Sequence, residues 1–224
     1  MIVTIDGPAG SGKSTAARGL AARLGFRFLD TGAMYRTVAL ECLAAEIELD
    51  DEHAAARIAE KVEIRFDGDR VWADGVDVTA EIRTPGVTNA ASIVAQNADV
   101  RRAMNRQQRR LARGEDIVTE GRDQGTVVFP NAECKFFLVA DAEERAARRK
   151  REMEMQGHSI PLEELTLQIE DRDRRDADRP VAPLKAATDA IQVETSRSTA
   201  EEVIDRLERT VRKRLVEFPG TPNQ

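Results

Sequence analysis

The first fifteen residues leave little freedom in what can follow them. Ile2-Val3-Thr4-Ile5-Asp6 is a short, β-branched apolar run, and Gly7-Pro8-Ala9-Gly10-Ser11-Gly12-Lys13-Ser14 has the spacing G-x-x-x-x-G-K-S. Thr15 then leads into 16–24, where apolar residues recur at helical intervals. The order is strand, phosphate loop, helix. Glycines let such a loop curl until several backbone N–H groups point at one anion, and the positive end of the helix faces the same place. Lys13 is placed to reach the outer phosphates of a nucleotide, and the Ser14 hydroxyl to hold Mg2+. A glycine-rich turn before an ordinary helix is the plainer alternative, and the flanking strand and helix weigh against it.

Downstream, Gly25 suits a helix C-cap, 26–29 reads as a second strand, and Asp30-Thr31-Gly32 can cap a helix over 33–45. Strand, helix, strand, helix from the first residue implies a parallel sheet with helices on its faces and ligands at the carboxyl ends of its strands. From 62 to 84 the texture changes to short alternating runs joined by Asp67-Gly68-Asp69 and Asp74-Gly75, which predict antiparallel strands inserted into the parallel framework. Helices follow over 89–96 and 99–113, the second strongly basic. Strands are expected at 117–119, 135–139 and 190–193. Two charged helices, 142–155 and 162–175, form a hairpin with little apolar surface and hence few reasons to stay packed down. Ser198-Thr199-Ala200-Glu201 has capping-box form and starts a terminal helix that turns Val203, Ile204, Leu207 and Val211 inward, and the tail from Pro219 is expected to be disordered.

With 34 basic and 40 acidic side chains the net charge is -6, which argues against a general nucleic-acid binder. No apolar run reaches the roughly 18 residues of a membrane span, and the first strand is unsuited to be a signal peptide. A cytoplasmic monomer without nucleic-acid or membrane partners is therefore expected. Cys42 and Cys134 read as reduced, buried thiols rather than nucleophiles or a disulfide, and His53 and His158 as solvated surface residues.

A phosphate loop does not say what is done with the nucleotide; the arginines narrow it. Arg36, Arg101, Arg122, Arg172, Arg175 and Arg179 fall where strand ends or the hairpin's return are expected. Transfer between two phosphates brings several anions together, and the planar, permanently charged guanidinium neutralises them bidentately. A phosphate acceptor is already ionised, so no insulated Asp or His base is needed. Arg102, Arg106, Arg109, Arg110, Arg148 and Arg151 read instead as solvated charges or partners of nearby carboxylates.

Taken together, G-P-A-G-S-G-K-S-T, L-D-T-G-A-M-Y-R, N-A-A-S, E-G-R-D-Q-G-T-V-V-F-P, D-R-D-R-R-D and V-A-P-L-K, spread in order from residue 2 to about 210, resemble the bacterial cytidylate kinase family of nucleoside monophosphate kinases. The resemblance implies a P-loop three-layer α/β/α fold in a single domain. Its core would be 1–35, 114–141 and 180–218, with a CMP-binding region at 36–113 containing an antiparallel insertion at about 60–98, and a closing lid at 142–179. It implies transfer of the γ-phosphoryl group of ATP to CMP or dCMP with Mg2+. ATP would lie on Gly7, Pro8, Ala9, Gly10, Ser11, Gly12, Lys13, Ser14 and Thr15. Thr31, Tyr35 and Arg36 would meet the phosphate and ribose side of CMP, while Ser92, Arg101 and Asp123 would surround cytosine. Arg122 would bridge toward the phosphates, Arg172 and Asp176 would meet the sugar, and Arg179 the phosphates; Lys13, Arg122, Arg172 and Arg179 would carry the chemistry. Thr31 stands where the family often has Ser, Glu120 where Asp is expected, and Arg174 makes the lid's return more basic. A kinase of another small anionic acceptor, and a nucleotide-dependent switch or RNA-associated ATPase using the basic helix, are the competing readings.

Overall fold

A computed structural model describes residues 1–155, 157 and 159–217; His158 and the tail from Pro219 lie outside the described residues. In chain order the elements are β1 (Ile2–Asp6), α1 (Lys13–Leu24), β2 (Arg27–Asp30), α2 (Thr31–Ala44), α3 (Glu52–Lys61), β3 (Ile64–Asp67), β4 (Arg70–Ala73) and β5 (Val76–Asp77). There follow α4 (Pro85–Val94), α5 (Ala98–Leu111), β6 (Ile117–Gly121), β7 (Cys134–Val139), α6 (Ala142–Met155), α7 (Leu162–Asp178), β8 (Ile191–Glu194) and α8 (Ala200–Glu217). Contacts divide the chain into two compact units, one made of residues 1–29 with 112 onward, the other of Asp30–Leu111.

The first unit is built on a five-stranded sheet of order β2-β6-β1-β7-β8, with parallel pairings of β1 with β6, β1 with β7 and β7 with β8. Strand alternation sorts the two faces. Val3, Ile5, Val118, Phe136 and Leu138 pack with Ala16, Ala17 and Leu20 of α1 and with Val203, Leu207 and Val211 of α8 in one continuous core. The inward positions of α8 are those its 3.6-residue spacing predicts. Among the residues of opposite parity, Thr4, Asp6, Thr119 and Lys135 are polar and buried. Such a polar face must be satisfied, and part of the answer is a π-helical turn, Gln124–Val128, that follows β6 and packs on β1 and β6.

A carboxylate builds that turn. Asp6 accepts from the backbone N–H of Gln124 at 2.9 Å and of Gly125 at 2.8 Å. The seat is tight: a Cβ on Gly125 would stand 2.9 Å from Thr4 Oγ1 and 3.2 Å from Lys135 Cδ. Gly125→Ala is therefore expected to destabilise the protein by about 1–3 kcal/mol, as overpacking does. A urea-unfolding midpoint equal to that of the wild type would contradict this packing.

The second unit packs α2 on α4 and α3 on α5, beside a three-stranded antiparallel sheet of order β3-β4-β5. The antiparallel strands stand where the alternation places them. Helix α3 is unforeseen in the sequence reading; it buries only Ala54, Ala55, Ala56 and Ala59, too little for a recognisable apolar stripe. Helix α4 starts earlier than expected, because Thr84 caps it, accepting from Val87 N, and Pro85 supplies a ready-made first turn.

The hairpin α6–α7 forms where the two charged helices are expected. Met153, Leu165 and Ile169 are buried, so the two helices are stapled together by a short apolar seam. No helix among the described residues is long and apolar enough to cross a membrane.

Candidate functional site: a phosphate loop ringed by arginines

The loop between β1 and α1 makes its bend at Gly12, a left-handed residue that caps α1 without any side-chain bond. No carboxylate stands in the first turn of α1, so the positive end of the helix is left for an external anion. Lys13 is buried and folds back along the loop to donate to Pro8 O and, at 3.5 Å, to Ser11 Oγ. Ser14 and Thr15 are exposed.

Beside Lys13 lies a ring of charge drawn from β6 and α7. Arg122 Nε donates to Asp176 Oδ2 at 2.8 Å, and Arg179 Nη1 stands 3.7 Å from Asp176 Oδ1. Burial, with the charges of Arg122 and Arg172, lowers the Lys13 ammonium from 10.5 to about 7, against the opposing pull of Glu120 and Asp176. Burial alone would lower Arg122, yet Asp176 and Glu120 raise it, so it stays charged. Burial would likewise raise Asp176, but Arg122 and Arg172 hold it below the usual carboxylate range. The cluster is an excess of fixed positive charge around one loop, the arrangement a polyphosphate needs.

The shift at Lys13 fixes the sign of a pH effect. Unfolded chain holds the Lys13 proton to about pH 10, whereas the folded, ligand-free protein releases it near 7. Unfolding in that window takes up a proton, so stability rises with pH there and falls as pH drops through it. Measured against Lys13→Met, the wild type is expected to gain up to roughly 1 kcal/mol per pH unit between pH 7 and 9. A difference in urea stability that did not change with pH would contradict it.

Asp123 is buried immediately before the π-helical turn. Burial raises the Asp6 carboxyl to about 6 against its two backbone hydrogen bonds, and the charge of Asp123 raises it further, so the two carboxylates are neighbours. Arg174 is exposed and pairs with Asp171, and Arg175 turns back to the Asp171 carbonyl, so neither joins the ring.

In the second unit, Asp30 caps α2 by accepting from Ala33 N at 2.8 Å and pairs with Arg36 at 3.4 Å. The Arg101 guanidinium, almost wholly buried, lies 5.5 Å from the Tyr35 ring centroid and donates to Ala95 O. Thr31 is buried at the start of α2. The Ser92 hydroxyl is buried without a hydrogen-bond partner, as is Arg36 Nε. Of the arginines read as ordinary surface charge, Arg102 pairs with Asp99, Arg106 with Glu60, Arg151 with Glu144, and Arg148 with Glu144 and Thr195. Cys42 and Cys134 are free and buried, and burial raises both thiols, Cys134 to about 11. A thiol held that high is a poor nucleophile at neutral pH. His53 is exposed.

No group of three or more His, Cys, Asp or Glu among the described residues could cage a metal. Sequence reasoning passed over Asp6, Arg145, Asp173 and Thr195. Only their partners, distant along the chain, reveal what they do.

A family model described as cytidylate kinase matches residues 3–213. A relative from Caldanaerobacter subterraneus subsp. tengcongensis, named cytidylate kinase, is 45% identical over 211 residues, spanning 94% of this chain and 94% of its own length. Another of that name from Rhodopirellula baltica is 47% identical over 213 residues, spanning 95% and 93%. Among solved structures, an uncharacterized protein from Eubacterium ventriosum ATCC 27560 has a similar fold, with a TM-score of 0.54 and 13% identity over 95% of this chain and 98% of its own.

Proposed function

Because this chain belongs to the cytidylate kinase family, we propose that it transfers the γ-phosphoryl group of ATP to CMP or dCMP, giving ADP and CDP or dCDP. The observation that carries the reading is the ring of Lys13, Arg122, Arg172 and Arg179 beside a helix-capping phosphate loop, in a chain matched by that family from residue 3 to residue 213.

The loop residues 7–15 would hold the triphosphate through backbone amides, with Lys13 following the transferred group. The ammonium, with its proton loosened in the empty protein, regains full charge once phosphate oxygens surround it. Ser14 would hold Mg2+ together with the nucleotide's phosphates, and the ion would supply neutralisation of their charge. Arg122 and Arg179 would meet the transferring and accepting phosphates, with Asp176 setting their direction. Arg172 would reach the acceptor's sugar side with Asp176, and Thr31, Tyr35 and Arg36 its phosphate and ribose. The acceptor is already an anion at neutral pH, so the reaction runs on positioning and charge stabilisation without a general base.

Cytosine would be read by Asp123, Arg101 and Ser92. A carboxylate accepts from the 4-amino group of cytosine, as it does in DNA recognition. Uracil presents an oxygen there instead, leaving Asp123 facing a second acceptor. Replacing Asp123 by Ala is expected to shrink the preference for CMP over UMP by at least about tenfold, mainly through loss of CMP turnover. Unchanged selectivity in a kinetic comparison of the two acceptors would remove the cytosine assignment.

A further inference from the structure

The phosphate loop is gripped from outside by the α6–α7 hairpin, through contacts the proposed reaction does not use. Asp173 Oδ1 accepts from Ala9 N at 3.2 Å, and Arg145 Nη1 donates to Ala9 O at 3.1 Å. The same Arg145 nitrogen pairs with Asp173 Oδ2, and Arg145 Nε donates to Ala140 O. One ion pair thus holds a single peptide residue by both its N–H and its C=O. The loop lies directly on the α6 backbone there: Gly10 has φ +74°, and a Cβ on it would stand 3.0 Å from both Arg145 Cβ and Arg145 O. One turn further, Arg148 donates to Thr195, whose hydroxyl is 3.2 Å from Ser11 O.

We infer that Arg145 and Asp173 are positioning residues for the triphosphate: they fix the shape of the phosphate loop before ATP arrives. The inference rests on the reading that this loop takes ATP. Its physical basis is preorganisation. Backbone amides bind an anion well only if they already converge, because ordering a loop on binding costs affinity. Asp173 lies between Arg172 and Asp176 on α7, so the turn that aims those residues at Lys13 and Arg122 also clasps the loop. Arg145 is 8% exposed, and its charge is matched within the pair. The opposite arrangement would be a carboxylate that competes with phosphate for the Ala9 amide, and it predicts the opposite result.

The test is MgATP binding by calorimetry to the full-length protein, with steady-state kinetics alongside. Asp173→Ala is expected to weaken MgATP by about tenfold or more, the effect of losing a charge-assisted hydrogen bond. Asp173→Asn, whose amide oxygen can still accept from Ala9 N, is expected to recover part of that loss. KM for ATP rises in both variants while KM for CMP at saturating ATP stays within about twofold, a split that general loosening of the fold would not give. Should Asp173→Ala fail to fold with Arg145 left unpaired, the double variant Arg145→Met/Asp173→Leu removes both charges and must still bind MgATP weakly. Wild-type affinity in the folded Asp173→Ala or double variant, or tighter binding than wild type, overturns the inference and leaves the kinase reading intact. Absence of MgATP binding by the wild type itself overturns that reading, and the inference with it.

Discussion

Replacing Arg122 by Met is expected to lower turnover with ATP and CMP by about two to three orders of magnitude. Arg122 is the one arginine held at the end of β6 by a direct bond to Asp176, and Asp176 and Glu120 keep it charged. Nothing else on that strand could neutralise charge building between two phosphates. The same change removes a partner from a mostly buried carboxylate. Asp176 would keep Arg179 at 3.7 Å but lose its 2.8 Å bond. The expected stability cost is about 2 kcal/mol, below the range for a fully buried, fully broken pair. Turnover and urea unfolding read the two effects separately. A variant that lost stability but kept its rate would show the pair to be structural only.

The second large effect is at Lys13. Lys13→Met is expected to lower turnover by about two to three orders of magnitude while leaving the ligand-free protein at least as stable at neutral pH. The reason is that the ammonium is buried beside two arginines, and its proton is displaced to about 7 in the empty site. Stored unfavourable charge of this kind is released when an anion binds. Calorimetry in buffers of different ionisation enthalpy at pH 8 should therefore show proton uptake on MgATP binding by the wild type and none from this site in Lys13→Met. Equal proton uptake in the two proteins would mean that Lys13 does not face the triphosphate.

Much of the fold could be read from the chain because its signals are local. The β1–loop–α1 unit, the antiparallel strands 64–67 and 70–73, and the inward face of α8 are each set by periodicity or turn residues within a short window. What was missed depends on distance. The π-helical turn at Gln124–Val128 exists because Asp6, 118 residues earlier, takes two of its amides. The hairpin itself follows from its two charged helices, but the seam of Met153, Leu165 and Ile169 inside it is too small to stand out among so many charges. Helix α3 is held by alanines, which carry propensity but little pattern. The candidate site divides the same way. The phosphate loop and its surrounding arginines could be named from residue type and place, whereas the clasp of Arg145 and Asp173 on Ala9 needs three segments far apart in sequence.

The central claim is that the acceptor is a cytidine nucleotide. The most direct test is ADP release from ATP and Mg2+ with CMP, dCMP, UMP, AMP, GMP or no acceptor. The account predicts turnover confined to CMP and dCMP, with little above background for the others. Fast turnover with a different acceptor would keep the phosphate-loop kinase and discard the cytosine pocket, and ADP release equally fast without any acceptor would contradict the kinase itself.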